Sequence, residues 1–482
     1  MAQEQLAALN TGDASRFRES RSGSRASRDR VLTVNNAWPS DELIEAIFDE
    51  SRVPEFGASM FKLAAELWPL NRSLTGAGNR ETLAILQREF PGLLVHEVSS
   101  GTEAFDWTVP DEWAIQAGWI KAPSGEVLCN FADNNLHVVG YSEPVHKTIP
   151  LAELQEHLYS LPEQPDAVPY VTSYYNRHWG FCLSEERRAQ LQDGDYEVFI
   201  DSDLSPGSLS YGEIIIQGDA PSEVLLSTYI CHPSMANNEL SGVVLALELA
   251  KWLAALPSRK HTYRILFVPE TIGPIVYLSK HLEHLKKHVI AGYVLTCVGD
   301  DRSYSYIPSR NGETLADKVA LHVLKHLDPN FNRYTWAERQ SDERQYCAPH
   351  VDLPVASIMR TKYGSYPEYH TSLDTLGAVV TPEGLAGAML AYIRAIQILE
   401  LDFYPVVTTI CEPQLGKRDL YPKISKKGNY ENTLLMRNIL SWSDGAHSSS
   451  KIADLASASF HGVFSDLMGL RNRGLITRRP DD

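Results

Sequence analysis

The segment LLSTYICHP, residues 225–233, is an apolar run that ends on His232, and a polar segment then leads into an apolar helix pattern. Such a run predicts a buried strand followed by a turn and a helix. Asn238 and Glu239 come six and seven residues after His232, at the predicted helix start. This spacing is typical of a metal site or a general base. Taken alone, the motif favours a simpler interpretation, in which Asn238 caps the helix.

Strands and helices alternate around this segment. Strands are predicted at 197–200, 212–217, 224–229, 263–269 and 291–298, with helices at 240–256 and 272–288. This order predicts an α/β fold with a mixed, mostly parallel sheet flanked by helices on both faces. Sheets of this kind bind ligands at the carboxyl ends of their strands. The sequence therefore predicts a site where the polar motifs follow the strands.

Two further predicted strands end next to acids. Glu270 directly follows an apolar strand, and Asp300 follows the strand at 291–298. A carboxylate at such a place is partly desolvated, which raises its pKa towards the range useful for a general base acting on water. The alternative is a solvated loop glutamate. Several polar groups at successive strand ends favour the functional interpretation.

The rest of the chain divides by composition. Residues 1–40 include six Arg among Ser and Gly at 15–30, which predicts a disordered arm or, less simply, a contact arm. The main α/β domain is predicted at 41–400, with a small β-rich insert at 95–160. Apolar spacing after Pro405 predicts three helices and a short wing, a winged-helix domain at 405–482. Its third helix has no base before Arg471, which favours a docking or oligomerisation role over DNA contact.

Charge and cysteine content narrow the class of protein. The 482 residues carry 44 Lys and Arg against 61 Asp and Glu, a formal charge of −17, which disfavours binding to nucleic acid. The six cysteines are far apart and form no CxxC pair, unlike a disulfide framework or a zinc knuckle. No secretory leader or membrane span is expected. These features predict a cytoplasmic protein, and we expect a homo-oligomer.

A family resemblance rests on several motifs in order. These are His232 with the segment NELSG at 238–242, PETIG at 269–273, SDERQY at 341–346 and YHTSLDT at 369–375. Together they resemble the zinc aminopeptidase-like family. The chain is most similar to its bacterial branch with an inserted β domain and a C-terminal winged helix, known as polysaccharide-biosynthesis or peptidase-like proteins. The resemblance covers residues 41 to 482.

The resemblance implies roles for individual residues. It implies that His232 and His370 are zinc ligands and that Glu270 is the general base. The family's bridging aspartate falls where this chain has Asn238 followed by Glu239. The implied ligand set is therefore His232, Glu239 and His370, with Asp300 or Asn238 as the substitute.

Two more of the family's carboxylates are replaced, by Thr271 and Thr296. A two-metal site would need them, so the sequence predicts one zinc per chain. Zinc lowers the pKa of bound water and polarises an amide carbonyl.

The sequence thus predicts a zinc-dependent hydrolase of amide bonds, an aminopeptidase or deacylase acting on a small peptide or an acylated or aminoacylated metabolite. One alternative is a catalytically degraded protein that binds or assembles, and another is a transcription regulator that senses a ligand. Cationic and phenolic side chains are expected to bind the substrate, although surface salt bridges are an alternative for the arginines. These residues are Arg72, Tyr174, Arg177, Arg344, Tyr346, Arg360 and Tyr369.

Overall fold

The computed structural model describes residues 38–420 and 431–480, so the predicted arm lies outside the described residues except for 38–40. The helices are α1 Asp41–Phe48, α2 Val53–Leu67, α3 Ala77–Glu89, α4 Leu151–Leu154, α5 Glu185–Arg188, α6 Ser241–Ala255, α7 Ile272–His288, α8 Leu315–Leu327, α9 Glu343–Tyr346, α10 Pro382–Leu401, α11 Glu431–Trp442, α12 Ser449–Leu455 and α13 Phe460–Asn472.

The strands fall into one large sheet and several small ones. They are β1 Leu94–Ser99, β2 Glu103–Ala104, β3 Trp107–Thr108, β4 Glu112–Lys121, β5 Val127–Asn130, β6 Val145–Pro150, β7 Leu158–Tyr159, β8 Phe181–Cys182, β9 Asp195–Ser205, β10 Ser208–Ile216, β11 Glu223–Tyr229, β12 Thr262–Val268, β13 Val289–Val294, β14 Ser305–Ile307, β15 Asn332–Arg333, β16 Val355–Met359, β17 Pro405–Val407 and β18 Ile476–Arg478.

The large sheet has eight strands in the order β1-β10-β12-β11-β13-β16-β14-β15. Its centre is parallel, because β11 pairs in parallel with both β12 and β13, and β13 with β16. Antiparallel strands β1 and β10 complete one side, and β14 runs antiparallel to β16. The predicted fold, a mixed sheet flanked by helices, is confirmed.

Continuous apolar runs explain the centre of the sheet. Every residue of β11 and of β12 is buried, as expected for strands covered on both faces. Helix α6 is buried almost throughout, which matches its nearly uninterrupted apolar sequence. A Cβ at Gly242, in its first turn, would lie 2.1 Å from the Leu295 carbonyl oxygen. Only glycine therefore allows the helix to start this close to the end of β13.

The β-rich insert is organised around a four-stranded antiparallel sheet, in the order β5-β4-β9-β6. Its strands span residues 112–205, whereas the sequence placed the insert at 95–160. Strand β1, inside the predicted range, pairs instead with β10 of the large sheet. Strand β9, beyond the range, pairs with β4 and β6. Pairing over such a distance along the chain leaves no local sequence signal.

The C-terminal helices α11 to α13 and the antiparallel strand pair β17–β18 form the winged helix. His322 of α8 anchors it, because Nδ1 lies 2.8 Å from an oxygen of Asp454 and Nε2 accepts the Phe460 N–H at 3.0 Å. On the other side, Phe48 of α1 stacks on His461 with ring centroids 4.4 Å apart. The third helix of the winged helix thus packs against the α/β domain.

Helix α10 is the one described helix that is long and apolar enough, by length and composition alone, to cross a membrane. In its 18-residue apolar window, 78% is buried inside the protein. The helix packs against α2 and α8, as a core helix does. The sequence analysis expected no such window, and burial in the core explains the composition.

Candidate functional site

His232 lies in the turn after β11, and its side chain is almost fully buried. Its Nδ1 is 3.2 Å from Oε2 of Glu239, and its Nε2 is 3.7 Å from Oε2 of Glu270. The imidazole is thus placed between one carboxylate from the turn before α6 and another from the loop after β12. A carboxylate on one ring nitrogen fixes the orientation of the ring and leaves the other nitrogen to face the site.

Glu239 lies in a wide helical turn, Ala236–Leu240, directly before α6. Its carboxylate accepts hydrogen bonds from the backbone N–H groups of Cys231, at 2.5 Å, and of His232. It also forms an ion pair with Arg72, whose side chain is completely buried. Arg72 donates further to the carbonyl oxygens of His232, at 3.1 Å, and Leu67, at 2.7 Å. The carboxylate of Glu239 is therefore engaged by the protein itself.

His370 reaches the same space from the loop after β16. Its ring centroid is 5.4 Å from that of His232, and the ring of Tyr369 stacks on it at 3.9 Å. Burial, together with the neighbouring His232, lowers the pKa of His370 to about 3. The imidazole is therefore neutral at physiological pH, the form that binds metals.

Glu270 directly follows β12 and faces His232. Its Oε1 accepts a hydrogen bond from Ser341 Oγ at 3.2 Å, and its N–H donates to Cys231 Sγ at 3.2 Å. Burial raises the pKa of this carboxyl group, and the nearby His232 and Arg344 partly oppose the shift. A carboxylate with a raised pKa beside an imidazole is suited to accept a proton from water.

The predicted substitute ligands Asn238 and Asp300 serve other contacts. Asn238 Oδ1 accepts from the Tyr229 hydroxyl at 2.9 Å, and the Tyr229 and Thr296 hydroxyl oxygens are 2.6 Å apart. Asp300 accepts from Asn237 Nδ2 at 3.0 Å and from the backbone and hydroxyl of Thr361 at 2.8 and 2.6 Å. Both side chains thus hold neighbouring loops together.

Asp374 is a buried acid to which the sequence analysis gave no role. Its two oxygens accept the backbone N–H groups of Asn237 and Asn238 at 2.8 and 3.0 Å. Burial raises its pKa to about 6. The acid ties the loop of His370 to the turn of Glu239, so it holds two parts of the site together. Asp374 lies in the motif YHTSLDT at 369–375, so an acid four residues after His370 was the available signal.

A strap from the insert covers the two histidines, and its key residue, Tyr170, was also missed. The Tyr170 ring lies 5.0 Å from that of His232 and 5.3 Å from that of His370. Its N–H donates to the His370 carbonyl at 2.8 Å, and its hydroxyl is 3.2 Å from that of Tyr174. The aromatic composition of this region was the available signal, and it identified Tyr174.

The other predicted substrate residues are scattered. Arg344 lies beside the site, where Nη2 donates to Thr271 Oγ1 at 3.0 Å. Arg177 is largely exposed, 3.8 Å from Asp111 and 3.7 Å from Glu143.

Two further residues are structural contacts. The Tyr346 hydroxyl is buried 2.8 Å from Ser227 Oγ. Arg360 is buried, donates to the Asp300 carbonyl at 2.7 Å and stacks over Tyr304. The structure therefore does not bring Tyr346 or Arg360 to the two histidines.

The donor set is compatible with zinc. Among the described residues, ligand atoms of Cys231, His232 and Glu239 lie within 4.8 Å of one another. Burial raises the pKa of Cys231 well above its usual range, so the thiol stays protonated, and Glu239 is paired with Arg72. The better donors are on the other side of His232, where Nε2 faces Glu270 beside the neutral imidazole of His370. Imidazole nitrogens are donors that zinc accepts, and these two rings lie beside a carboxylate that is suited to act as a base.

Comparison with known proteins places this chain in a wider group. A family model described as a domain of unknown function, DUF4910, matches residues 61–402, and a winged helix-turn-helix model matches residues 402–478. A Clostridium acetobutylicum protein, described as a candidate polysaccharide biosynthesis protein with an aminopeptidase-like domain, is 43% identical over 411 residues. The match covers 85% of this chain and 94% of that protein.

Solved structures show the same fold. A crystal structure of a candidate peptidase from Clostridium acetobutylicum has a TM-score of 0.84 at 40% identity and covers 91% of this chain and 100% of its own. A zinc aminopeptidase from Bacillus subtilis has a TM-score of 0.54 at 12% identity, covering 73% and 95%. A peptidase M28 precursor from Shewanella amazonensis has a TM-score of 0.52 at 14% identity, covering 74% and 97%. The last two likenesses concern the fold alone.

Proposed function

Because the chain belongs to the family of DUF4910 proteins and has an aminopeptidase-like fold, we propose that it is a zinc-dependent hydrolase of amide bonds. The reaction is of the aminopeptidase or deacylase type. The observation that carries the proposal is the meeting of the buried imidazole of His232 and the half-buried imidazole of His370 beside the Glu270 carboxylate.

In this proposal His232, through Nε2, and His370 hold one zinc ion per chain. When bound, zinc supplies Lewis-acid polarisation of an amide carbonyl and a water of lowered pKa. Glu239, predicted from the sequence to be a ligand, instead accepts the Nδ1 proton of His232 and fixes the ring. Arg72 balances its charge and so serves the site through Glu239. Outer carboxylates of this kind orient histidine ligands in many metal sites.

Glu270 is the proposed base. Its raised pKa suits the acceptance of a proton from the attacking water and the return of that proton to the leaving nitrogen. The hydrogen bond from Ser341 to Oε1 leaves Oε2 on the side of His232. The Glu270 side chain is 21% exposed, so water can reach this carboxylate.

Substrate contacts are proposed for the residues that lie at the site, Tyr174, Tyr369 and Arg344. The substrate is a small peptide or an acylated or aminoacylated metabolite. The description of the Clostridium relative as a candidate polysaccharide biosynthesis protein supports a sugar conjugate among the metabolites. The cytoplasmic location and the homo-oligomer stay predictions.

A second candidate function is binding or assembly without catalysis. It is favoured by the neutral groups at positions where a two-metal site would need carboxylates, since Asn238 and Thr296 are both hydrogen-bonded to the Tyr229 hydroxyl. The same observation agrees with a single zinc, so metal content and turnover must be measured separately.

The test is elemental analysis of the dialysed full chain together with hydrolysis assays on aminoacyl and N-acyl 4-nitroanilides. We expect about one zinc per chain, lost with all turnover in His370→Ala. His146→Ala, which removes an exposed histidine of β6, is the matched control and should retain the zinc and the turnover. Two tightly held metals would contradict the single site. Bound zinc without hydrolysis of any of these 4-nitroanilides would favour the binding function.

A further inference from the structure

The residue after the proposed base has a rare backbone conformation. Thr271 has φ 66° and ψ −70°, and the Ile272 N–H donates to the Glu270 carbonyl at 2.8 Å. These values define a three-residue γ-turn with positive φ, which is strained. For a β-branched residue a positive φ is a genuine outlier, because the side chain meets its own backbone. The surrounding structure must hold such a turn in place.

One loop supplies the contacts that hold the turn. Asp342 Oδ1 accepts the Thr271 N–H at 2.7 Å, and Arg344 donates to the Thr271 hydroxyl at 3.0 Å. From the same loop, Ser341 donates to the Glu270 carboxylate at 3.2 Å. The loop therefore contacts both the strained peptide and the side chain that precedes it. We call residues 341–344 the clamp loop.

Hydrogen bonds to the side chain of Glu343 hold the clamp loop in place. The fully buried Glu343 accepts the backbone N–H groups of Gln340 and Ser341, at 3.0 and 3.1 Å, and the hydroxyl of Tyr363. Asp342 is also fully buried. A rigid loop can impose a conformation on the less constrained turn that it contacts. We therefore infer that the clamp loop sets the conformation of Thr271 and Glu270.

We propose that Asp342 is a positioning residue, which holds the strained turn at Thr271 and thereby points the Glu270 carboxylate at His232. The inference rests on the proposed function, in which Glu270 is the base. Without the Asp342 acceptor, Thr271 relaxes to a negative φ. This rotation moves the Glu270 carboxylate away from its place 3.7 Å from His232 Nε2. Asp342 contacts the turn through the hydrogen bond that it accepts from the Thr271 N–H.

The test uses three variants of the zinc-loaded full chain. Asp342→Ala removes the acceptor, whereas Asp342→Asn retains an oxygen that can accept the Thr271 N–H. The double variant Thr271→Gly with Asp342→Ala removes the acceptor, but glycine adopts a positive φ without steric strain. Crystal structures report the φ of residue 271 and the position of Glu270, and zinc content is measured on the same samples.

We expect a negative φ and a displaced Glu270 in Asp342→Ala only, with zinc content unchanged in all three. On a hydrolysed 4-nitroanilide, kcat should fall by about 10- to 100-fold in Asp342→Ala with an unchanged KM, because a misplaced catalytic group costs this much. Asp342→Asn and the double variant should recover most of the rate. If Asp342 had a merely structural role, its removal would lower stability. It would not lower kcat at an unchanged KM, and the rate would not recover in Asp342→Asn and the double variant.

An unmoved turn in Asp342→Ala, or a displaced Glu270 in Asp342→Asn, would overturn the proposal. If Asp342→Ala does not fold, Asp342→Asn decides, because a displaced Glu270 in that variant overturns the proposal. If the wild type hydrolyses nothing, the proposed function fails, but the crystal structures still decide whether Asp342 holds the turn.

Discussion

The two sides of the site differ in charge. On the side of β11 and β12, Glu239, Glu270 and Arg72 surround His232. On the side of β13, Asn238 and Thr296 form a neutral network with Tyr229. A cation needs anionic or lone-pair donors, and the neutral side has already joined its hydroxyls and amide to one another. The proposal of one metal rests on this contrast, and the predictions below are ordered by the size of their effect on it.

The largest effect is expected at the charged side, from Glu270→Gln. The amide keeps the shape of the side chain but cannot accept a proton, so the rate should fall by about 100- to 10,000-fold while zinc is retained. Glu283→Gln, on the exposed face of α7, is the control. Rates and zinc content are measured together. Loss of zinc in Glu270→Gln would make Glu270 a ligand and exclude it as the sole base.

A smaller effect is expected from Glu239→Gln, which weakens the contact to His232 Nδ1 and leaves Arg72 buried without its ion-pair partner. We expect zinc affinity to fall by about 10- to 100-fold, as for other residues that orient a ligand. Competition with a chromogenic chelator measures the dissociation constant. Complete loss of zinc would instead indicate that Glu239 is a direct ligand, as the sequence analysis predicted.

The neutral side is tested by Asn238→Asp. The new carboxylate would be buried beside Tyr229 without a cationic partner, so the free energy of unfolding should fall by about 1–3 kcal/mol. Denaturant unfolding measures this loss, and elemental analysis should still give about one zinc per chain. A second bound zinc, with stability restored by the metal, would show that one carboxylate is all that the neutral side lacks.

The smallest effect is expected far from both sides, where His322 anchors the winged helix. His322→Ala removes the contacts to Asp454 and Phe460 and should lower the free energy of unfolding by about 1 kcal/mol. Zinc content and turnover should not change. Loss of zinc in this variant would show that the winged helix supports the zinc site at a distance. The charge difference between the two sides of the site does not require such support.

Much of this organisation could be predicted from the sequence. The mostly apolar strands β11 and β12 and the helix α6 carry patterns that local chemistry fixes, and His232 and Glu270 lie within three residues of the ends of those strands. The family resemblance supplied His370. The limits of the insert could not be predicted in the same way, because β9 pairs with β4 across a long stretch of chain.

Contacts between residues far apart in the sequence decided the rest of the site. The sequence shows an acid at Glu239 and a base at Arg72, but only the folded chain brings them together across 167 positions. Their pairing changes Glu239 from a predicted ligand into the proposed support of His232. Tyr346 and Arg360 carry suitable chemistry for binding a substrate, yet their contacts with Ser227 and Asp300 place them elsewhere.

The sequence by itself determined the alternating α/β order, the winged helix and the positions of His232 and Glu270 after the ends of two strands. These follow from periodicity and from the chemistry of neighbouring residues, which act over a few positions. Only the tertiary structure decided which side of His232 faces Glu239 and which faces Glu270, and that Asp342 contacts the turn at Thr271. Hydrogen bonds between distant segments set these choices, and their geometry exists only when the sheet and its loops have packed.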